Sequence, residues 1–170
     1  MSQNQQRYAA LIKLYHADLY RYAYWLCRHK STAEDLVQET YLRAWKHLDS
    51  LLDADAAKAW LITILRRENA RRFERKQFEY SDVEQEELQD LSDNDPEQHA
   101  ATEQLQKLIN QLAIEYREPL VLQLLFGMSG DEIAELLELN LNTVNTRLFR
   151  ARSQLRDLIN QHQTRGASHG

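Results

Sequence analysis

Residues that interrupt helices are scarce in this chain. Its 170 residues include four glycines and two prolines, and the first proline is Pro96. Glycine and proline mark most tight turns, so a chain this poor in both has few points at which strands could reverse direction. The scarcity therefore predicts an all-α fold built from long helices.

Apolar residues recur at three- and four-residue spacing in the first part of the chain, which is typical of amphipathic helices. We predict a second helix that begins at a capping box of Ser31 and Glu34, and a third over about residues 56–76. The stripe of the first helix is formed by Tyr8, Leu11, Tyr15, Leu19, Tyr22 and Leu26.

Charge is distributed unevenly along the sequence. Residues 77–106 contain ten acidic residues and no lysine or arginine, so removing those ten charges from the net −5 leaves +5 for the remainder. Two mildly basic blocks are thus joined by an acidic segment. We predict a first domain over residues 1–77, an acidic flexible linker over residues 78–101 in which the Asp95-Pro96 step stops any helix, a second domain over residues 102–162, and a disordered tail over residues 163–170.

The second block ends in the pattern of a helix-turn-helix. Ser129 and Glu132 form a capping box ahead of one helix, Ala134 is a small residue where two helices cross, and Asn140 or Asn142 can cap the last helix. The apolar stripe of that last helix leaves side chains on its outer faces that suit the major groove of DNA. These are Asn145, Thr146, Phe149, Arg150 and Arg152. The alternative is an ordinary solvated helix face.

Residues 60–76 form a second basic element, with six basic and two acidic residues. Helical spacing places Trp60, Arg67, Arg71 and Arg75 near one face. An aromatic ring beside a row of guanidinium groups suits single-stranded nucleic acid, because bases stack on the ring while phosphates meet the arginines. The alternative is a core tryptophan at the base of an ordinary charged helix.

Other function classes find little support in the sequence. The six histidines form no metal-ligand set and no glycine-rich phosphate loop occurs, so we expect no catalytic residue, metal, cofactor or small-molecule substrate. Cys27 is read as a packing residue. The lack of a signal pattern predicts a cytoplasmic protein, and the apolar runs are much shorter than the roughly 20 residues that cross a bilayer, so no membrane insertion is expected.

Residues 33–48, AEDLVQETYLRAWKHL, resemble the polymerase-binding helix of the extracytoplasmic-function (ECF) sigma factors, which are small members of the sigma-70 family of bacterial RNA polymerase. The similarity extends over nearly all of residues 7–160. It implies a region-two domain, a flexible linker and a region-four helix-turn-helix domain. It also implies that the chain binds core RNA polymerase, through the β′ clamp and β, and promoter DNA, under the control of an anti-sigma factor that is often membrane-bound.

The resemblance implies three groups of site residues. The group that contacts the coiled coil of the polymerase β′ clamp is Asp35, Gln38, Glu39 and Arg43. The minus-ten element of the promoter is engaged by the loop over residues 49–57, where a flipped-out base is captured, and by a helix group. That helix group is Trp60, Arg66, Arg67 and Arg71. The group for the minus-thirty-five element is Thr143, Asn145, Thr146, Arg147, Phe149 and Arg150.

The sequence departs from the family's pattern at several of these positions. Many members have an Arg-Asn pair and a later Asp where this chain has Arg66, Arg67 and Arg71, so the family's minus-ten readout does not carry over directly. Asn145 stands where Lys or Arg is usual, which exchanges a phosphate or guanine contact for an adenine contact. Glu138 stands where a turn glycine is common, so we expect a strained non-glycine residue in that turn.

A second class of function also fits the helix-turn-helix: a self-sufficient transcriptional regulator that dimerises through a helical domain. Such a protein would bind palindromic duplex DNA tightly without polymerase, whereas a sigma factor alone would bind promoter DNA weakly. An enzyme is the least supported class. For the sigma-factor interpretation, we hypothesise that the acidic linker reaches the arginines of either domain in the free protein and lowers nonspecific DNA binding by competing with phosphates.

Overall fold

A computed structural model of the chain describes residues 1–79 and 96–167, with side chains described for residues 1–76 and 103–167. Over those residues the chain is helical without a strand, which confirms the predicted all-α class. The α-helices are α1 (Gln3–Cys27), α2 (Lys30–Lys46), α3 (Ala57–Glu79), α4 (Pro96–Asn110), α5 (Ile114–Phe126), α6 (Gly130–Leu137) and α7 (Leu141–Ala167), with short 3-10 helices at Leu48–Ser50 and Ala54–Ala56.

The chain divides into two compact units, Met1–Leu91 and Ser92–Gly170. Most of the predicted linker, residues 80–95, lies outside the described residues. Helix α4 begins at Pro96, so residues 96–101 are helical although the sequence pattern predicted linker there. Proline suits the first position of a helix because its missing N–H would have no partner in that turn.

The first unit is a bundle of α1, α2 and α3, each of which packs on the other two. Small residues on facing helices, Ala23 and Ala33, are completely buried and allow close approach of α1 and α2. Each large apolar side chain that is fully buried contributes about 1.5–3 kcal/mol to folding. The largest of these are Leu19, Tyr22, Leu36, Ile62 and Leu65.

The start of α2 differs from the sequence prediction. Helix α2 begins at Lys30 with His29 as its cap residue, and the Ser31 hydroxyl lies 2.9 Å from His29 Nδ1, so the predicted Ser31–Glu34 capping box is wrong. The chain leaves α1 at Arg28 in a left-handed conformation, φ 56°, and this exit sets where α2 can begin. A capping box starts α1 instead, where the Ser2 hydroxyl accepts the Gln5 N–H at 3.1 Å and the Gln5 side chain accepts the Ser2 N–H at 2.9 Å.

The second unit packs α5, α6 and α4 against the long helix α7. Residues 163–167, expected to be a disordered tail, continue α7 as helix, and residues 168–170 lie outside the described residues. Among residues 1–79 and 96–167, every helix is too short or too polar to cross a lipid bilayer. The buried apolar residues of the unit include Leu120, Leu122, Ile133, Val144, Leu148, Ala151 and Leu155.

Candidate functional site

Helix α2 presents a polar face opposite its buried stripe. Leu36, Val37 and Thr40 point into the bundle, and the Thr40 hydroxyl donates to the Leu36 carbonyl at 2.8 Å, so this buried polar group is satisfied. The four residues predicted to contact polymerase share the opposite face, because positions three and four apart lie above one another on a helix. Asp35, Gln38 and Glu39 are exposed, and Arg43 is partly exposed.

An open groove of about 460 Å³ runs between this α2 face and α3. Its α2 wall carries Asp35 and Glu39, and its α3 wall carries Arg72, Arg75 and Lys76. Arg72 crosses the groove, with Nη2 at 3.8 Å from Asp35 Oδ2 and Nη1 donating to the Thr32 carbonyl at 3.5 Å. The groove therefore has one acidic and one basic wall. Within the described parts of the chain, no cluster of three or more His, Cys, Asp or Glu residues could hold a metal ion.

Glu68 on α3 joins the two predicted sites of this unit. Its side chain is 5% exposed, and Oε1 accepts a hydrogen bond from Arg71 Nη1 at 3.0 Å and forms an ion pair with Arg43, whose Nε lies 3.1 Å away. Sequence analysis did not single out Glu68, although its spacing from Leu61 and Leu65, both buried, is the signal that places it on the inner face of α3. Its pairing with Arg43 could not be inferred from the sequence, because Arg43 lies on another helix.

The loop before α3, residues 48–56, is held by the first turns of α1. Arg7 donates through Nη2 to the Leu51 carbonyl, and Asn4 Nδ2 donates to Asp49 Oδ1 at 3.5 Å. Leu51 is 3% exposed, whereas its neighbour Leu52 is 92% exposed. Leu51 thus anchors the loop in the core, and Leu52 is exposed to solvent.

The predicted minus-ten residues of α3 lie at different depths. Arg67 and Arg71 are exposed, whereas Trp60 and Arg66 are partly buried. Arg71 also carries the contact to Glu68. The row of Trp60, Arg67, Arg71 and Arg75 that spacing predicted therefore begins with a ring at the edge of the core and continues into exposed cations.

The turn between α6 and α7 has the strained geometry expected from the sequence. Glu138 adopts a left-handed conformation, φ 56° and ψ 45°, and its N–H donates to the Glu135 carbonyl at 3.3 Å. The capping box of Ser129 and Glu132 is confirmed by reciprocal bonds of 3.2 and 3.3 Å. Asn140, and not Asn142, caps α7, because its Oδ1 accepts the Thr143 N–H at 2.8 Å.

Helix α7 buries the predicted stripe and presents the predicted DNA-reading residues on its other side. Asn145, Thr146, Phe149 and Arg150 are exposed, with Phe149 75% exposed, and Thr143 and Arg147 are partly exposed. Arg152, also predicted on an outer face, donates to the Gln123 side chain of α5. Arg152 therefore fastens α7 to α5.

Three residues that the sequence pattern did not single out adjoin this surface. A groove of about 390 Å³ is lined by Glu115 and Tyr116 of α5 together with Thr143, Thr146, Arg147 and Arg150. A carbon added as Cβ on Gly130 would lie 3.1 Å from Asn145 Oδ1, so Gly130 leaves space for the Asn145 side chain. Both relations depend on packing between helices and leave no local sequence signal.

Burial suppresses ionisation beside the α1–α2 contact. Burial raises the pKa of Tyr41 to about 12, and the Tyr41 hydroxyl lies 2.6 Å from His16 Nδ1. Burial also raises the pKa of the Cys27 thiol to about 11, while its Sγ donates to the Ala23 carbonyl at 2.7 Å. A thiol with so high a pKa stays protonated at neutral pH, in keeping with a packing role.

Two helical units, one with a polar helix face and exposed arginines and the other with a helix-turn-helix, are typical of a two-domain DNA-binding transcription factor. Sigma-70 region 2 matches residues 11–86, and Sigma-70 region 4 matches residues 102–155. The chain belongs to the sigma-70 family and is an ECF RNA polymerase sigma factor, a transcription initiation factor.

Relatives and solved structures agree with this assignment. The RNA polymerase sigma factor SigV of Bacillus subtilis is 31% identical over 139 residues, which cover 82% of each chain. The ECF RNA polymerase sigma factor EcfG of Rhodopseudomonas palustris is 33% identical over 129 residues, covering 75% of this chain and 71% of EcfG. The sigma factor RpoE of Bartonella quintana, solved in complex with the anti-sigma factor NepR, superposes with a TM-score of 0.75 and 26% identity over 91% of this chain and 98% of RpoE.

Proposed function

We propose that this sigma factor divides promoter recognition among three surfaces. The α2 face binds core RNA polymerase, the loop over residues 48–56 with α3 engages the minus-ten element, and α7 reads the minus-thirty-five element. The observation that carries the proposal is the polar face of α2, which holds Asp35, Gln38, Glu39 and Arg43 together outside the core. In this proposal the free energy of binding drives promoter opening, and the chain catalyses no reaction.

The polymerase contact is supported by the chemistry of the α2 face. Asp35 and Glu39 supply carboxylates, and Arg43 supplies a planar donor that can bind a carboxylate through two parallel hydrogen bonds. The basic wall of the neighbouring groove adds Arg75 and Lys76. A partner helix that carries both signs of charge would complement this face.

The minus-ten contact is supported by the loop and the arginines of α3. Leu52 is an exposed apolar side chain next to an anchored backbone, and Arg67 and Arg71 offer charge to phosphates. Stacking favours single-stranded DNA over the duplex, since unpaired bases expose their faces, and the arginines add affinity for the phosphates. Binding to the separated strand would therefore help to open the promoter.

The minus-thirty-five contact is supported by the capped start of α7. Exposed Asn145, Thr146 and Arg150 suit base edges or phosphates, and Phe149 suits apolar contact in the major groove. Asparagine pairs bidentately with adenine, so Asn145 would favour adenine where a lysine or arginine would favour guanine.

Regulation by an anti-sigma factor is proposed from the solved relatives. RpoE was solved with NepR, and CnrH, which superposes with a TM-score of 0.70 and 25% identity, was solved with the cytosolic domain of CnrY. We infer that an anti-sigma factor covers the proposed polymerase-binding surface of this chain and that the chain acts in the cytoplasm.

Transcription with core polymerase tests the proposal. The purified chain is added to core RNA polymerase of its own bacterium, with fragmented chromosomal DNA as template, and the transcript start sites are sequenced. We expect start sites that share two promoter elements, and we expect the double variant Asp35→Ala, Glu39→Ala to lose them. Glu34→Ala, an exposed acid of α2 that lies on the side of Tyr20, is the matched control and should retain them. Failure to bind core polymerase, or tight dimeric binding to palindromic duplex without it, would refute the proposal.

A further inference from the structure

The deepest charged side chain described in the first unit is Glu68, which lies between α2 and α3 with 5% of its side chain exposed. A carboxylate at that depth is costly unless it is paired, because burial removes its hydration. Both of its partners are arginines, and both bind the same oxygen, Oε1. The interaction is therefore a three-membered cluster of Arg43, Glu68 and Arg71.

Each arginine keeps donors for another partner. A guanidinium group has five N–H donors; in this cluster Arg71 donates through Nη1, and Arg43 forms an ion pair with Glu68 through Nε. Their side chains are 37% and 48% exposed. Arg43 and Arg71 thus each contact Glu68 while much of the side chain stays open to solvent.

The two arginines belong to different proposed sites. Arg43 belongs to the polymerase-binding group on α2, and Arg71 belongs to the minus-ten group on α3. A free arginine loses rotamer entropy when it binds, and an arginine already fixed by the fold has lost it beforehand. We propose that Glu68 is the positioning residue for both surfaces, holding Arg43 ready for polymerase and Arg71 ready for the minus-ten strand. This inference rests on the proposed function and adds to it a shared support for two contacts.

A shared carboxylate makes a specific prediction about single and double variants. Ordering one such side chain costs about 0.5–1.5 kcal/mol, so loss of Glu68 should weaken each contact by about 2- to 10-fold. Core affinity and minus-ten engagement should fall together in Glu68→Gln, although Glu68 itself is buried. Arg43→Ala should weaken mainly core binding, and Arg71→Ala should weaken mainly minus-ten engagement.

A double-mutant cycle on the full chain separates positioning from a purely structural ion pair. The dissociation constant for core polymerase is measured by anisotropy of N-terminally labelled protein for wild type, Glu68→Gln, Arg43→Ala and the double variant. If Glu68 acts by holding Arg43, Glu68→Gln has no further effect once Arg43 is gone. A second cycle compares wild type, Glu68→Gln, Arg71→Ala and their double variant, and its measured quantity is the half-life of open complexes after heparin challenge. Glu74→Gln, an exposed acid of the same helix, is the matched control and should change neither quantity.

The outcomes of the cycle are distinct. If Glu68→Gln lowers core affinity and open-complex half-life equally in the presence and absence of the matching arginine, the positioning role is overturned and the proposed function stays intact. Unchanged core affinity in Arg43→Ala would overturn both the polymerase contact of Arg43 and its positioning by Glu68. If thermal denaturation shows that Glu68→Gln is unfolded, Glu68→Met, which keeps the side-chain length and removes the acceptor, replaces it in every arm of the cycle.

Discussion

Glu138 holds a backbone conformation that side chains usually avoid. Its φ of 56° in the turn between α6 and α7 lies in the left-handed region, where Cβ crowds the following carbonyl. Glycine removes that crowding, but it also gains freedom in the unfolded chain, so the two effects oppose each other.

We expect Glu138→Gly to stabilise the second unit by about 1 kcal/mol, because relief of left-handed strain exceeds the added entropy of the unfolded chain. Urea denaturation followed by circular dichroism measures the change. Glu135→Gly, which removes the same charge from an exposed right-handed position in α6, should destabilise by about 1 kcal/mol. Destabilisation of equal size in both variants would show that the turn carries no strain.

Cys27 combines partial burial with a raised pKa of about 11. Only the thiolate reacts, and at pH 8 a thiol of this pKa is about 0.1% ionised, compared with about a quarter for an ordinary exposed cysteine. We expect a disulfide reagent to label native protein about a hundredfold more slowly at pH 8 than protein unfolded in urea. The native rate should rise about tenfold per pH unit from pH 8 to 10, since the thiolate fraction grows toward the pKa. Equal native and unfolded rates would contradict the burial of Cys27.

At the scale of elements, sequence patterns correctly predicted helix caps that are formed by residues close together in the chain. The Ser129 capping box and the Asn140 cap each join residues three positions apart, so neither needs knowledge of the fold. The Ser31 capping box had the same spacing and was wrong, because the start of α2 is set by the left-handed exit from α1 at Arg28. A motif of this length describes a helix start only when the preceding element permits it.

Contacts between elements were outside the reach of sequence patterns. The pairing of Glu68 with Arg43 joins α3 to α2, and the hold of Arg7 on Leu51 joins α1 to the loop before α3. The family resemblance named residues that are proposed to contact partners, and it did not name the residues that hold them in place. Contacts such as Glu68 with Arg43 and Arg7 with Leu51 can be identified only once the packing of the helices is known.

The bond from Arg7 to the Leu51 carbonyl leads to a prediction at this scale. Arg7→Ala should loosen the loop and shorten the half-life of open complexes roughly tenfold, the loss expected for a hydrogen bond from a charged donor. Core polymerase affinity should stay within about twofold, because the α2 face does not depend on this bond.

Arg21→Ala, an exposed arginine further along α1, is the matched control for charge and should leave the open complex unchanged. Arg7→Lys keeps a donor and should recover part of the half-life. Equal effects of Arg7→Ala and Arg21→Ala would attribute the change to net charge and refute the role of the anchored loop.

At the scale of the whole molecule, the formal net charge of −5 conceals the basic character of the sequence outside residues 77–106. The ten acids within residues 77–106 exceed the net charge of +5 that the remaining sequence carries without them. Acids tethered to basic surfaces compete with DNA phosphates at a high effective concentration. We hypothesise that the acidic segment keeps the free sigma factor from binding DNA at random.

Replacement of all ten acids by their amides should therefore raise affinity for random duplex DNA, by about tenfold at low salt, because phosphate binding depends on released counterions. The gain should shrink at high salt, where the Debye length falls to a few ångströms and tethered acids compete less. A variant in which residues 80–95 keep their composition in shuffled order separates charge from sequence, since it should bind random DNA as weakly as wild type. Unchanged affinity of the amide variant at fixed low salt would rule out the hypothesis, and tighter binding of the shuffled variant would show that a specific sequence, and not charge, restrains the protein.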